Sequence, residues 1–154
     1  MLIGVISDTH GLLRPEALRI LRGADHIIHA GDIGTPEVIY GLRALAPVTA
    51  VRGNVDRGAW VEDFPQRRLL TLDGVALLVL HDRHELLAEP ADSEVRVIVT
   101  GHSHRALVEE REGVLYLNPG SAGPRRFRLP VTVALLTVNE GKLGVEIVDL
   151  GPLR

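Results

Sequence analysis

The sequence contains no cysteine. That excludes disulfides, thiolate metal ligands and cysteine nucleophiles together. Lysine is almost missing as well: of 17 basic residues only Lys142 is Lys, and the others are Arg. Arg forks suit phosphate, but a G+C-rich genome gives the same bias, and a thermophilic source is a weaker third reading. There is no excess of positive charge, since the net charge is −3, so a global nucleic-acid footprint is not expected. Long apolar runs are missing too, so no membrane span is expected. The first residues enter a strand directly and carry no secretory pattern. The expectation is a soluble, cytoplasmic protein. With 154 residues, 45% of them hydrophobic, the chain suits one packed domain over residues 1–154.

What the sequence does have is five short apolar runs, each ending in residue types that bind metal ions. Met1–Ser7 leads into Asp8-Thr9-His10, and His26–Ala30 into Gly31-Asp32. Val48–Val51 leads into Arg52-Gly53-Asn54, Val75–Leu80 into His81, and Val95–Thr100 into Gly101-His102-Ser103-His104. Continuous Val- and Ile-rich runs of this length read as strands buried on both faces. In open α/β sheets, ligands gather outside the carboxyl ends of the strands. Asp8, His10, Asp32, Asn54, His81, His102 and His104 should therefore converge on one edge. These seven donors exceed the needs of one ion and suit two.

The first half alternates between strand and helix. Arg14–Arg22 has helical character, with Pro15 suited to the first turn and Gly23 to the stop. Its buried stripe is either Leu18 with Leu21 or Leu12 with Leu13. Thr35-Pro36-Glu37 opens a second helix with an N-cap and a proline at the first position. Val38, Ile39, Leu42 and Leu45 form its inner face. This βαβαβ order predicts parallel strands with right-handed crossovers. The second half reads as hairpins. Arg67–Leu72 and Val75–Leu80 flank Asp73-Gly74, which suits a type I′ turn. Arg105–Glu110 and Val114–Leu117 flank Glu112-Gly113, and Val131–Val138 and Leu143–Val148 flank Asn139-Glu140-Gly141. A short helix over Glu85–Glu89, ended by Pro90, and a surface loop over Ala59–Gln66 complete the expectation. Two mixed sheets packed together, with helices outside, follow from this pattern.

Taken singly, most of these signals have plain explanations. Asp8 and His10 are two apart, which in an extended chain puts both side chains on one side, yet such pairs are common. Asp32 after Gly31 suits an ordinary turn, as does Asn54 between Gly53 and Asp56. A lone His81 at a strand end is more often structural than a ligand. Gly101-His102-Ser103-His104 is harder to explain as packing, and metal binding is the better reading there.

The order of the signals is far more specific. Asp-x-His, Gly-Asp, Gly-Asn, His and Gly-His-x-His, in that order, resemble the signature of the calcineurin-like metallophosphoesterase superfamily along nearly the whole chain. Ser7-Asp8-Thr9-His10-Gly11, Gly53-Asn54-Val55-Asp56 and Asn118-Pro119-Gly120-Ser121 followed by Pro124-Arg125 are most similar to its small single-domain phosphodiesterases from bacteria and archaea. The resemblance implies an α/β fold, a four-layer α/β/β/α sandwich of two mixed β-sheets flanked by helices. It implies that Asp8, His10 and His104 hold one metal, that Asn54, His81 and His102 hold the other, and that Asp32 bridges them. Asp32, His10 and Asn54 are then the residues expected to carry the reaction, hydrolysis of a phosphate ester by a metal-activated water. Two divalent transition-metal ions are implied, Mn first, with Fe, Zn, Co or Ni as alternatives. No other cofactor is expected. The substrate class is a phosphate-ester small molecule or nucleotide. The alternative is a non-catalytic protein-binding scaffold on the same fold, like the trafficking subunit of retromer.

The chain departs from the family in three places. The nucleases and Ser/Thr phosphatases carry His directly after the motif Asn; here that residue is Val55, as is usual in the small phosphodiesterases. The residue after His81 is usually Gly; here it is Asp82, followed by Arg83, and a solvated loop residue is the plainer reading of Asp82. Only 20 positions separate His81 from Gly101, so the intervening helix should be trimmed. Of the other histidines, His26 and His29 should be packed or hydrogen-bonded and His84 exposed. Arg52, Arg105 and Arg125 lie beside motifs and are candidate phosphate contacts, though solvated positions are more usual. Asn118–Ser121 should shape the site floor. Trp60 and Phe64 suggest a rim or a homodimer contact.

Overall fold

A computed structural model describes residues 1–86 and 94–151. Strands β1 (Leu2–Ile6), β2 (His26–His29) and β3 (Val48–Ala50) alternate with helices α1 (Pro15–Leu21) and α2 (Pro36–Arg43). Then come β4 (Arg67–Leu72), β5 (Val75–Leu80), β6 (Val95–Val99), β7 (Ala106–Arg111), β8 (Val114–Pro119), β9 (Thr132–Asn139) and β10 (Lys142–Asp149). They form two five-stranded mixed sheets, in the orders β10-β9-β1-β2-β3 and β4-β5-β6-β8-β7. β1, β2 and β3 run parallel, as do β5, β6 and β8.

The inner faces of the two sheets supply one core. Ile3, Val5, Ile28, Ala134 and Leu136 from the first sheet meet Leu77, Val79, Val97, Val99 and Leu117 from the second. α1 and α2 cover the outer face of the first sheet through Ala17, Leu21, Val38, Ile39 and Leu42. Leu18 and Leu45 pack only partly against this cluster, so α1 buries Ala17 and Leu21 as its main stripe. The outer face of the second sheet carries a smaller cluster of Leu78, Leu80, Val95, Ile98 and Tyr116. Among the described residues, its only helical cover is a 3₁₀ turn over Arg83–Glu85. The α/β/β/α order is present, and among the described residues the fourth layer is that single turn. The predicted helix over Glu85–Glu89 lies mostly outside the described residues.

Local chemistry accounts for the element ends. Pro15 and Pro36 both open their helices, where a missing N–H costs nothing. Thr35 sits at the N-cap but its side chain makes no capping bond. Asp73-Gly74, Glu112-Gly113 and Glu140-Gly141 all have positive φ, as two-residue I′ hairpin turns demand. Ala59–Asp63 departs from the expected loop and forms a 3₁₀ helix. Phe64 is buried behind it, and Trp60 packs edge-to-face on Phe64 at 6.0 Å. Both aromatics pack with the helix-side core, Phe64 buried and Trp60 partly buried.

Candidate metal centre

The loops after β1, β2, β3, β5 and β6 meet at one edge. They are stitched by backbone hydrogen bonds: Asp8 N–H to Gly31 O at 3.0 Å, His10 N–H to Asp32 O at 2.9 Å, and Gly101 N–H to His81 O at 2.9 Å. The motif glycines allow this closeness. A Cβ on Gly53 would collide with Asp32, and one on Gly101 with Ser7 and Asp8. Here the backbone approach, not a turn, requires glycine.

Two groups of donors result. Asp8, His10 and His104 offer ligand atoms within 4.8 Å of one another, and so do Asp32, His81 and His102. Asp8 Oδ1 lies 3.4 Å from His104 Nε2, 3.9 Å from His10 Nε2 and 3.9 Å from His81 Nε2. Asp32 Oδ2 lies 3.7 Å from His10 Nε2 and 3.2 Å from His81 Nε2. Both carboxylates thus touch both groups, and Asp32 is the closer of the two to His10 and to His81. Asn54 lines a cavity together with His81. All seven predicted residues therefore lie at this edge, His102 being the most exposed of the ring-bearing members at 44%.

The route to this arrangement differs from the expected one. Asp8 and His10 do not share a side through strand periodicity. Both have left the extended conformation, with φ of 55° and 47°. Asp32, His102 and His104 are also left-handed, at 53°, 70° and 64°. Such φ values are uncommon outside glycine and carry strain of roughly 1–3 kcal/mol each. Asp and His tolerate them better than bulkier residues do.

The remaining atoms of Asp8, Asp32 and His81 are fixed. Asp8 Oδ2 accepts from Ser7 Oγ at 2.7 Å and from the His102 N–H at 3.1 Å. Asp32 Oδ1 accepts from the Val55 N–H at 3.1 Å. His81 donates from Nδ1 to the Ala30 carbonyl at 2.7 Å, which aims Nε2 into the site. Among the described residues, four buried side-chain atoms are left without a hydrogen-bond partner: Asp8 Oδ1, His10 Nε2, His81 Nε2 and His104 Nδ1. Orphaned buried polar atoms are costly and rare. All four belong to the donor set, and imidazole with carboxylate suits a divalent transition metal. The residues present fit such ions.

Electrostatics follow from the crowding. Burial raises the Asp8 carboxyl, with partial offset from His81 and from the Ser7 hydrogen bond. Burial also pushes Asp32 up, but contact with His81 and the Val55 N–H outweigh it and hold the carboxyl at about 2. Burial opposes protonation of His81, yet Asp32 and Asp8 raise it to about 9. The His81–Asp32 contact at 3.2 Å is an ion pair rather than a hydrogen bond, because the ring N–H is not aimed at the oxygen.

Several supporting residues carry weaker sequence signals. Asp56 accepts from the Ile33, Gly34 and Gly53 N–H groups, and its place two residues after Asn54 is the one hint. Asn118 donates to Gly101 O at 2.9 Å and Ser121 to Asp8 O at 3.1 Å, so the Asn-Pro-Gly-Ser loop does form the floor. Arg14 is buried and donates to the Ala122 and Gly123 carbonyls. Nothing in the sequence announces a contact between residues over a hundred positions apart. Asp82 departs from the solvated-loop reading: its side chain is only 19% exposed, Oδ1 caps the 3₁₀ turn through the His84 N–H, and Oδ2 lies 3.8 Å from His102 Nε2. Arg83 turns away, pairing with Glu109 at 3.3 Å and lying over the Tyr116 ring. His84 is exposed, as expected. Of the three candidate arginines, Arg52 lines the cavity beside His81, whereas Arg105 and Arg125 are exposed.

Comparison with known proteins agrees with this geometry. The model of the calcineurin-like phosphoesterase superfamily domain matches residues 1–141. A probable metallophosphoesterase of Methanothermobacter thermautotrophicus is 36% identical, over 98% of this chain and 94% of its own length. A solved archaeal phosphodiesterase superposes with a TM-score of 0.80 at 26% identity, over 96% of this chain and all of its own. Vps29 from Entamoeba histolytica, solved with zinc, has a TM-score of 0.73 at 24% identity, over 98% of this chain and 100% of its own. The last likeness is one of fold.

Proposed function

Because this chain belongs to the calcineurin-like phosphoesterase superfamily, we propose that it is a metal-dependent phosphodiesterase with a binuclear site. Asp8, His10 and His104 hold one ion, Asn54, His81 and His102 hold the other, and Asp32 bridges them. The observation that carries this reading is the position of Asp32 Oδ2, 3.7 Å from His10 Nε2 and 3.2 Å from His81 Nε2, among four orphaned buried donor atoms. When bound, divalent ions would supply Lewis acidity to the phosphoryl oxygens and lower the pKa of the attacking water.

The chain's own residues supply preorganisation. Ser7 and the His102 N–H hold the Asp8 carboxylate so that Oδ1 faces His10 and His104. Ala30 fixes the His81 tautomer, the usual task of a carbonyl behind a ligating imidazole. Val55 lends Asp32 its N–H but has no side chain to give a leaving group a proton. We read residues 1–154 as one domain working in the cytoplasm on phosphate-ester small molecules or nucleotides, with Mn as the first choice of metal. No helix among the described residues is long and apolar enough to cross a membrane.

A scaffold on the same fold is the second reading, and the Vps29 likeness is what favours it. A protein-binding surface does not by itself call for seven converging donors, so catalysis is preferred. The test is metal analysis of purified protein, chelation, and a panel of phosphodiesters and monoesters assayed with Mn²⁺ added back. Diester hydrolysis that chelation abolishes and Mn²⁺ restores is the expected result. Full activity in metal-free protein, or no hydrolysis of any ester by loaded protein, sinks the proposal.

A further inference from the structure

A cavity of about 310 Å³ opens beside the donor set and shares Asn54 and His81 with it. Its other walls include Arg52, Arg57, Gln66 and Glu85. This volume is at the lower end for small-molecule sites. The balance of charge is set by what each group already binds. Asp56 also lines the cavity, but its two carboxylate oxygens accept from three backbone N–H groups. Among the described residues, that leaves Arg52 and Arg57 in the lining with one other carboxylate, Glu85.

Among the described residues, neither Arg52 nor Arg57 makes an ion pair or a side-chain hydrogen bond, with Glu85 or with any other group. Elsewhere in the chain arginines do find acids, as Arg83 and Arg111 both find Glu109. The backbone at Arg52 is pinned, its N–H donating to Pro65 O at 3.1 Å. Two unpaired guanidinium groups beside a phosphoester site form an anion receptor, because their planar forks match phosphate oxygens.

We propose that this cavity receives a second phosphate of the substrate, so that preferred substrates are small phosphate esters bearing another phosphate on the part of the molecule lying over Asn54. The inference rests on the phosphoesterase reading for its reaction but not for its binding. Arg52 and Arg57 select the substrate, and Gln66 adds an amide contact.

Two p-nitrophenyl phosphodiesters test it, differing only in whether the non-leaving alcohol carries a phosphate or a hydroxyl. Wild-type kcat/KM should favour the phosphorylated ester about tenfold to a hundredfold, the range for losing a hydrogen bond to a charged group, with most of the difference in KM. In the Arg52→Ala/Arg57→Ala double variant the ratio should fall to about one, and Arg57→Lys alone should keep part of it. Calorimetry with inorganic pyrophosphate on chelator-treated protein gives a readout independent of turnover. Binding should be measurable in wild type and lost in the double variant. Equal rates on the two esters, a preference that survives the double variant, or wild type that binds no pyrophosphate would each overturn the inference. If neither ester is cleaved yet pyrophosphate binds through the two arginines, the phosphoesterase reading fails and the receptor stands.

Discussion

His81 Nδ1 donates to the carbonyl of Ala30 at 2.7 Å. Ala30 follows β2 in the first sheet and His81 follows β5 in the second, so this bond ties the two sheets together at the edge where the donors meet. It also leaves Nε2 as the only ring nitrogen free to face Asp32 and Asp8. One hydrogen bond therefore serves both the packing of the sandwich and the aim of a ligand.

The first prediction separates the ligands by the number of ions each holds. Asp32→Ala should lower occupancy at both sites, because its Oδ2 lies within 4 Å of His10 and of His81. His102→Ala should lower occupancy at one. His81→Ala should also empty one site and in addition destabilise metal-free protein by about 1–3 kcal/mol, since it removes the buried bond to Ala30. Elemental analysis after dialysis, with urea unfolding of chelated protein, checks all three. Equal loss at a single site from Asp32→Ala and His102→Ala would refute the bridge.

Much of this was legible in the chain. Pro15, Pro36 and the Asp73-Gly74 turn mark boundaries because their backbone chemistry is local. The seven donors were legible because each follows a strand, and parallel strands bring their carboxyl ends to one edge. The missing parts depend on distant or aperiodic contacts. The left-handed φ of Asp8 and His10 comes from bonding to the β2 loop, which no spacing rule within β1 reveals. Arg14 binds Ala122 and Gly123 across the fold. Phe64 is buried behind a 3₁₀ turn too short to show a hydrophobic period. Asp82 reads as a loop residue until the fold brings His102 beside it.

Asp82 carries the second prediction. Its Oδ2 is 3.8 Å from His102 Nε2, while Oδ1 holds the turn that follows His81. Asp82→Gly removes both effects and should weaken the ion held by His81 and His102 by roughly ten- to a hundredfold, the range for partners behind metal ligands. Asp82→Asn keeps the acceptor for the His84 N–H and loses only the charge, so it should cost less. Metal titration of the two variants reads this directly. Less than a threefold loss in Asp82→Gly would return Asp82 to the role of a loop residue.

His29 gives a pH dependence that is separable from the metal site. It is fully buried, its Nδ1 accepts from the Gly31 N–H at 3.0 Å, and its Nε2 lies 3.0 Å from Thr9 Oγ1, which donates onward to Ile33 O. Burial, then the positive neighbour His81, lower its pKa from 6.5 to about 3. A depressed histidine contributes fully above the unfolded value and loses stability as pH falls through 6.5 toward 3. At pH 5 the loss should be about 2 kcal/mol. His81 runs the other way: its contribution is complete below 6.5 and fades as pH rises through about 9, so it adds no slope between pH 6.5 and 5. Urea unfolding of chelated wild type and His29→Gln at pH 7 and pH 5 isolates the effect, because the other histidines are common to both. An equal drop in the two proteins would show that His29 is not held neutral.

The last prediction follows from Val55. Its side chain is 48% exposed at the site, where relatives in the nuclease and phosphatase branches carry His. A leaving group that departs as a strongly basic alkoxide needs a proton in the transition state, whereas a phenolate needs little help. A positioned acid is typically worth about 10²–10⁴-fold. The Val55 side chain cannot supply that proton. His10 is poorly placed to substitute, since its Nε2 faces the two carboxylates. His84 is exposed, and its Nδ1 is engaged by Asp82 at 3.1 Å. Rates should therefore fall steeply as leaving-group pKa rises, and aryl diesters should outperform alkyl diesters of similar size. The measurement is kcat/KM across a series of substituted phenyl diesters, plotted against leaving-group pKa, under conditions where chemistry limits the rate. Val55→His should flatten the plot, because an exposed position beside Asp32 has room for the ring. A wild-type plot that is already flat would mean another residue protonates the leaving group, and His84→Ala would then be the variant that restores the slope.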